Sequence, residues 1–134
     1  MPVDRRSDAR ERALYVLYEA AQKGLPPGEV IASHVVPPDA LTTALVDGVV
    51  ANSDRIDAAI AGKSAGWELR RMPLLDLNVL RIAAFELLGR PDVPIAVVID
   101  EAVELAKRFS TDKSGRFVNG VLAALAPELR AAAG

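Results

Sequence analysis

The segment 73–89, PLLDLNVLRIAAFELLG, most limits what this chain can fold into. Its spacing predicts a helix, and apolar side chains occupy almost every side of that helix. A helix without a continuous polar face is stable only when other helices surround it. The segment therefore predicts the central helix of an all-α protein. Its few polar side chains are Asp76, Asn78, Arg81 and Glu86.

Arg81 is the cation of this apolar segment, and its environment can be inferred from the free-energy cost of burying a charge. A buried guanidinium must be paired, because an unpaired charge in the interior is very unfavourable. Glu101 and Glu104, on the following predicted helix, are the candidate partners. We predict a structural ion pair here rather than a functional site.

Helical spacing of apolar residues continues on both sides of the central segment, with glycine and proline marking the ends. Ser7 is a plausible N-cap of the first helix, and Gly48 with the triplet 52–54 is expected to bend or break the third. Pro127 is expected to end a short last helix. No segment alternates with the period of a strand, so we expect one domain, 1–134, folded as a compact bundle of six to seven helices. The predicted flanking helices cover residues 7–23, 27–34, 38–60, 94–110 and 115–127.

Composition sets the broad class of the protein. Hydrophobic residues make up 51% of the chain and charged residues 25%, a balance typical of a folded domain. The net charge of −2 means that any binding of nucleic acid must come from a local patch. Cysteine is absent, which excludes disulfides and thiolate zinc sites. The sequence has neither a signal peptide pattern nor an apolar stretch of membrane-spanning length, so we expect a cytoplasmic protein.

The sequence lacks the residue groupings that common enzyme mechanisms require. His34 is the single histidine, and it stands between prolines without a catalytic neighbour. Asp100 and Glu101 are adjacent on a predicted helix, so their carboxylates point apart. The stretch AGKS at 61–64 resembles the end of a phosphate-binding loop, but Asp57 occupies the position of the required first glycine. We therefore expect no enzyme activity, no metal and no cofactor.

The connector 110–120, STDKSGRFVNG, is richer in charge and aromatic residues than a plain turn. Asp112 or Ser114 can cap a helix that begins near Gly115, and free backbone N–H groups at a helix start attract phosphate. Cationic and aromatic side chains together suit single-stranded RNA, in which bases stack and phosphates need neutralising. Gly120 leaves room for a ligand to approach the helix. The cations and aromatics of this region are Lys107, Arg108, Phe109, Lys113, Arg116 and Phe117.

A purely structural interpretation of the same residues stays open. Phe109 and Phe117 can both belong to the core, with Lys113 and Arg116 solvated and Gly120 at a helix-packing contact. A second basic group near the N-terminus has the same two interpretations. It is diluted by the carboxylates of three neighbours, with which it can form salt bridges. This second group consists of Arg5, Arg6, Arg10 and Arg12.

Three stretches of the chain resemble the NusB family of bacterial transcription antitermination factors. They are residues 94–127, which include EAVELAKRFS and RFVNGVL, the stretch VLRIAAFEL at 79–87, and RERALYVLYEA at 10–20. The resemblance implies a fold of two packed three-helix subbundles. It also implies binding of the boxA element of nascent ribosomal RNA, as a heterodimer with the ribosomal protein NusE. The pair helps RNA polymerase to resist termination.

The resemblance also implies which residues bind. The family's surface for NusE matches Tyr18 on the first helix and Asp76 on the central one. Lys113 stands where relatives can carry an acidic residue, which favours RNA binding in this chain. In the N-terminal arm, Ser7 and Asp8 interrupt a basic run that is often longer. The RNA-binding residues that the resemblance implies are Arg5, Arg6, Arg10, Phe109, Asp112, Ser114, Phe117, Asn119 and Gly120. The charge at the helix start adds Lys107, Lys113 and Arg116 to this predicted set.

Two other functions compete with RNA binding. A helical module that binds only proteins, such as a homodimer or an adaptor, would hide the basic surface and bind no RNA directly. An accessory domain or fragment of a ribosomal RNA methyltransferase, in which domains of this family also occur, would predict a second, catalytic domain. We expect a free-standing factor that contacts RNA, NusE and the RNA polymerase complex.

Overall fold

A computed structural model describes residues 5–64 and 66–133 of the chain. Within these residues the protein is all-helical, with seven α-helices and one short 3-10 helix, Leu69–Arg71, and no strand. The all-α prediction of six to seven helices is confirmed. No helix in this part of the chain has the length and apolar character needed to cross a membrane. The helices are α1 (Arg5–Lys23), α2 (Pro27–Ser33), α3 (Ala40–Ala51), α4 (Ser53–Lys63), α5 (Leu74–Gly89), α6 (Ile95–Phe109) and α7 (Asp112–Ala133).

Helix α5 lies at the centre of the bundle, as its apolar sequence predicts. Ten of its sixteen residues are buried. Helices α6 and α7 pack against it and against each other, while α1, α2 and α3 form a second group that contacts α5 through α1 and α3. Helix α4 lies along α5 and also contacts α7. Two three-helix subbundles, α1–α3 and α5–α7, therefore share one core, and α5 contacts both α1 and α3 of the other subbundle.

Helix ends in the first subbundle have local causes. Gly24 adopts a φ of 66° directly after α1, a conformation that favours glycine and stops the helix. Helix α3 begins two residues later than predicted, because the side chain of Asp39 accepts a 2.7 Å hydrogen bond from the Thr42 N–H and so acts as the N-cap. The break between α3 and α4 falls at Asn52, as the sequence indicated. Helix α3 continues through Gly48, whose missing side chain makes room for the ring of Phe85.

The prediction that Pro127 ends the last helix is wrong. Helix α7 runs for 22 residues, from Asp112 to Ala133, with Pro127 inside it. Proline removes one hydrogen bond to the carbonyl of Ala123, but both residues are exposed, so water can satisfy that carbonyl. Leu129 is buried beyond the proline, and Arg130 donates hydrogen bonds to the backbone carbonyls of Leu87, Pro91 and Val93. These contacts hold the last turns on the bundle.

Two predicted side-chain roles also change. Helix α1 already includes Arg5, so Ser7 lies inside it rather than at its cap, and its hydroxyl donates a 2.8 Å hydrogen bond to Glu101. Arg81 is paired, but its partner is Asp57 on α4, at 2.9 and 3.0 Å, and not Glu101 or Glu104. The reason is geometric. Arg81 lies on the side of α5 that faces α4, whereas α6 packs on another side of α5.

Candidate nucleic-acid interface

The connector between α6 and α7 is shaped by a small network of hydroxyl groups. Thr111 Oγ1 accepts a 3.1 Å hydrogen bond from the N–H of Ser114, so Thr111 caps α7, rather than Asp112 or Ser114 as predicted. The Ser114 hydroxyl is buried and bonded to Ser110 and Thr111 at 2.9 and 3.0 Å. Ser114 therefore holds the turn from inside, while Asp112 stays exposed beside it.

The first two turns of α7 present a stripe of one chemical character. Lys113, Arg116, Phe117 and Gly120 follow the i, i+3, i+4, i+7 spacing that places side chains on one face of a helix. We name these four residues the α7 stripe. Its two cations are exposed and form no ion pair with any residue in 5–64 or 66–133, and Phe117 is half-buried. Asn119 is exposed next to the stripe.

Two glycines of α7, Gly120 in the stripe and Gly115 beside it, have different surroundings. A Cβ at Gly120 would meet no described atom within 4 Å, so Gly120 is not a helix-packing contact and its backbone is open to a ligand. A Cβ at Gly115 would lie 2.9 Å from Cγ of Lys107. The aliphatic stem of Lys107 thus crosses α7 at Gly115, and its exposed ammonium group is held near the connector.

A second group of side chains surrounds Phe109 at the end of α6. Its ring meets that of Tyr15 edge-to-face at 5.5 Å between centroids, and the guanidinium carbon of Arg108 lies 4.9 Å from its centre. Glu11 accepts hydrogen bonds from Arg108 at 3.4 Å and from the Tyr15 hydroxyl at 3.2 Å. Burial raises the pKa of Tyr15, and the hydrogen bond from its hydroxyl to Glu11 raises it further by a smaller amount. We name these residues the Phe109 cluster. It joins α1 to the end of α6.

Sequence reasoning missed Tyr15, which is 49% exposed. The available signal was that this tyrosine lies off the apolar stripe of α1, formed by Ala13, Leu14 and Leu17. An aromatic residue that does not face the core is free to bind a ligand or to pack on a neighbouring surface residue.

A cavity of about 260 Å³ opens beside the α7 stripe. Trp67 and Phe117 stand edge-to-face in its wall, 6.3 Å between centroids. Asp76 also lies in the wall and is 3% exposed, and its Oδ1 has no hydrogen-bond partner in the described part of the chain. We name this space the Trp67 cavity. Its lining residues are Trp67, Met72, Pro73, Asp76, Thr111, Lys113, Ser114 and Phe117.

The Trp67 cavity corrects the sequence-based prediction for Asp76 and adds a residue that was not predicted. Asp76 was expected to be an accessible anchor on a partner surface, and the structure buries it next to Phe117 and Lys113. The reason is that α7 packs against α5 and brings the connector over the start of the central helix. Trp67 was not predicted at all, although a lone tryptophan between a glycine and charged residues was a usable signal.

The N-terminal arginines do not form one cluster. Arg10 is 3% exposed and donates two 2.9 Å hydrogen bonds to the carboxylate of Glu86, so we withdraw it from the RNA-binding set. Its guanidinium is already held by a buried carboxylate. Arg5 and Arg6 are exposed, and Arg5 lines a depression beside the start of α3. Arg5 is therefore directed toward α3 and not toward the connector.

Tyr18 lies on α1 and is half-buried, as the sequence indicated for the edge of the apolar stripe. Its hydroxyl accepts a 2.9 Å hydrogen bond from Gln22 Nε2. The hydroxyl therefore has a partner within α1, and part of the ring surface is accessible. Among the described residues no group of histidine and carboxylate side chains could hold a metal ion.

Residues 7–127 match the model of the NusB family. The transcription antitermination protein NusB of Salinispora tropica is 49% identical over 133 residues, which cover 94% of this chain and 96% of that protein. The structure of T. maritima NusB superimposes with a TM-score of 0.84 at 32% identity, covering 96% of this chain and 94% of that one. A chain in the crystal structure of antitermination factors NusB and NusE in complex with dsRNA gives a TM-score of 0.79 at 29% identity, covering 92% and 96%.

Proposed function

The chain belongs to the NusB family, and on that premise we propose that it is an RNA-binding transcription antitermination factor. It binds the boxA element of nascent ribosomal RNA together with the ribosomal protein NusE, and the complex helps RNA polymerase to resist termination. The observation that carries this proposal is the α7 stripe, in which exposed cations, an aromatic ring and an open glycine share one helix face. The proposed role places the protein in the cytoplasm as a single domain, 1–134.

The start of α7 supports binding of phosphate. A helix of 22 residues carries a partial positive charge at its N-terminus, where backbone N–H groups lack partners within the helix. Lys113 and Arg116 add two full charges there, and Lys107 a third from the adjoining helix. Because the net charge of the protein is −2, this local concentration of cations gives RNA a defined place to bind.

Aromatic side chains support binding of unpaired bases. Phe117 on the α7 stripe and Tyr15 in the Phe109 cluster both have accessible ring surface. Stacking of a base on such a ring contributes about 1–3 kcal/mol, and it does not require a particular base. Asn119 and the carboxylate of Asp112 offer hydrogen bonds to base edges at the same helix start. Arg5 and Arg6 are exposed cations that a longer RNA can reach beyond this site.

We assign Tyr18 to the NusE surface, because a half-buried ring with a polar hydroxyl has the properties of an interface anchor. Asp76 does not belong to this assignment, since it is 3% exposed and lines the Trp67 cavity. The chain offers a matched control in Tyr15, which is its other tyrosine. Tyr18→Ala should weaken capture of NusE without changing RNA binding by the lone protein, and Tyr15→Ala should leave NusE capture intact.

A mobility-shift titration tests the proposed function as a whole. Labelled RNA with a boxA element is titrated with the protein alone, with NusE alone and with both, and a scrambled RNA of equal length is the control. We expect binding by the lone protein, a tighter complex with NusE, and weaker binding of the scrambled RNA. A protein that binds NusE but never shifts either RNA would instead be the interaction module without direct RNA contact.

A further inference from the structure

We infer that the Trp67 cavity takes one unstacked nucleobase that carries an exocyclic amino group, and that Asp76 accepts a hydrogen bond from that group. The inference rests on the proposed RNA-binding function and adds a specific base contact to it. It starts from a juxtaposition in the fold: a buried carboxylate, two aromatic rings and a lysine line one cavity.

Asp76 is the cavity residue whose hydrogen-bonding capacity is left unsatisfied. Its side chain is 3% exposed, and Oδ1 has no hydrogen-bond donor among the residues that the structure describes. A buried acceptor without a donor is unfavourable, and the cost is greater for a charged group. The dipole of α5 favours a carboxylate in this first turn but supplies no donor to Oδ1. A ligand that brings an N–H group into the cavity would complete this side chain.

The other walls select a flat, partly apolar group. Trp67 is 52% exposed and stands against Phe117, with Met72 and Pro73 completing the apolar lining. Unstacked bases of single-stranded RNA pack on such aromatic surfaces. The volume of about 260 Å³ is just below the roughly 300–1,000 Å³ of sites for drug-sized ligands. The cavity therefore fits one base and not a run of nucleotides.

The charge of Lys113 favours a nucleotide base in the cavity over a basic side chain of a protein partner. A lysine or arginine from a basic partner could also satisfy Asp76, but Lys113 lines the same cavity and would repel it. The same ammonium group attracts the phosphate of a nucleotide whose base enters the cavity. Arg116, one turn further along the α7 stripe, offers a second cation for the adjoining phosphate.

The carboxylate also predicts which bases fit. Adenine, cytosine and guanine each present an amino group on the base edge, and acidic side chains accept hydrogen bonds from such groups. Uracil presents a single N–H flanked by two carbonyl oxygens, which a carboxylate repels. The cavity should therefore favour a base with an amino group and discriminate against uracil at one position of the bound RNA.

The experiment combines edited RNA with variants of the full chain. In boxA RNA, the base amino groups are deleted one at a time: purine replaces adenine, inosine replaces guanine, and 2-pyrimidinone replaces cytosine. Each RNA is titrated with the wild type, with Asp76→Leu, which has no acceptor, and with Asp76→Asn, which keeps the size of the side chain. Circular dichroism verifies that the variants fold. The uncharged Asn variant keeps the test available if the Leu variant does not fold.

We expect one position at which deletion of the amino group weakens wild-type binding about 10-fold. In Asp76→Leu the loss of affinity on deleting the amino group should disappear, because leucine accepts no hydrogen bond from that group. In Asp76→Asn the loss should be smaller than in the wild type. Trp67→Ala should weaken binding of all RNAs alike, whereas Trp67→Phe should retain most of it. This coupling between one base and one side chain is a readout that a merely structural role for Asp76 would not produce.

Three results would overturn the inference. Wild-type protein that binds boxA RNA normally, but shows no amino group coupled to Asp76, would remove the base contact and leave the proposed function standing. Loss of NusE capture in Asp76→Leu and in Asp76→Asn, with the RNA series unchanged, would assign the cavity to a partner side chain. Wild-type protein that binds no boxA RNA, with or without NusE, would overturn the proposed function itself.

Discussion

Arg10 and Glu86 form an ion pair that is buried between α1 and α5. Two hydrogen bonds of 2.9 Å join the guanidinium to the carboxylate, and both side chains are almost completely shielded from solvent. Glu101 of α6 lies 3.7 Å from the same guanidinium. The pair therefore connects the two subbundles through the central helix, and it gives Glu86 a structural role.

The first prediction concerns this pair. Arg10→Ala leaves the carboxylate of Glu86 buried without its partner, so the free energy of unfolding should fall by roughly 3–5 kcal/mol. The double variant Arg10→Met/Glu86→Leu should recover most of that loss, because apolar residues of similar size replace a buried pair well. Urea denaturation measures both. If the Arg10→Ala protein had normal stability but bound RNA more weakly, Arg10 would be an RNA-binding residue and not a structural one.

The second prediction concerns the cations of the α7 stripe. Lys113→Ala/Arg116→Ala should weaken RNA binding, and the slope of log affinity against log salt should become shallower by about two units or less. The matched control is Arg55→Ala/Lys63→Ala, which removes the same charge from exposed positions of α4. A salt slope that is equally shallow in both double variants would show a general effect of net charge and no phosphate contact at α7.

The third prediction separates two roles of Phe117, which is half-buried. If bases stack on its ring, Phe117→Ala should lower RNA affinity by about 1–3 kcal/mol. Phe85→Ala is the control, since this phenylalanine is also half-buried but packs over Gly48 and Gly89 away from the connector. It should reduce stability and leave the RNA affinity of the folded protein unchanged. Titration and denaturation of each variant decide, and loss of stability alone in Phe117→Ala would contradict stacking.

The fourth prediction concerns Gly120, whose missing side chain would point into open space. Gly120→Ala should raise the free energy of unfolding by about 0.5–1 kcal/mol, because alanine favours a helix. It should also weaken RNA binding if the ligand approaches the backbone there. Gly62→Ala in α4 is the control, since that glycine is equally open. It should change RNA affinity little, and equal RNA affinity of the two variants would mean that RNA does not reach Gly120.

The sequence by itself determined the all-α class, the central helix and the chemical character of the connector. Helical periodicity and the apolar character of 73–89 depend on residues a few positions apart, so the central place of α5 could be predicted. The cations and aromatics at the start of α7 were visible for the same reason, because spacing along one helix places them on one face.

Only the tertiary structure decided which distant residues meet. Arg10 and Glu86 are 76 positions apart, and Arg81 could have faced any of several carboxylates before the packing of α4 selected Asp57. The same holds for the Trp67 cavity, in which residues of three chain segments converge. Helix periodicity leaves the neighbours of each face undefined. Packing of the helices around α5 therefore determined that Arg10 is structural, and that Asp76 lies beside Phe117.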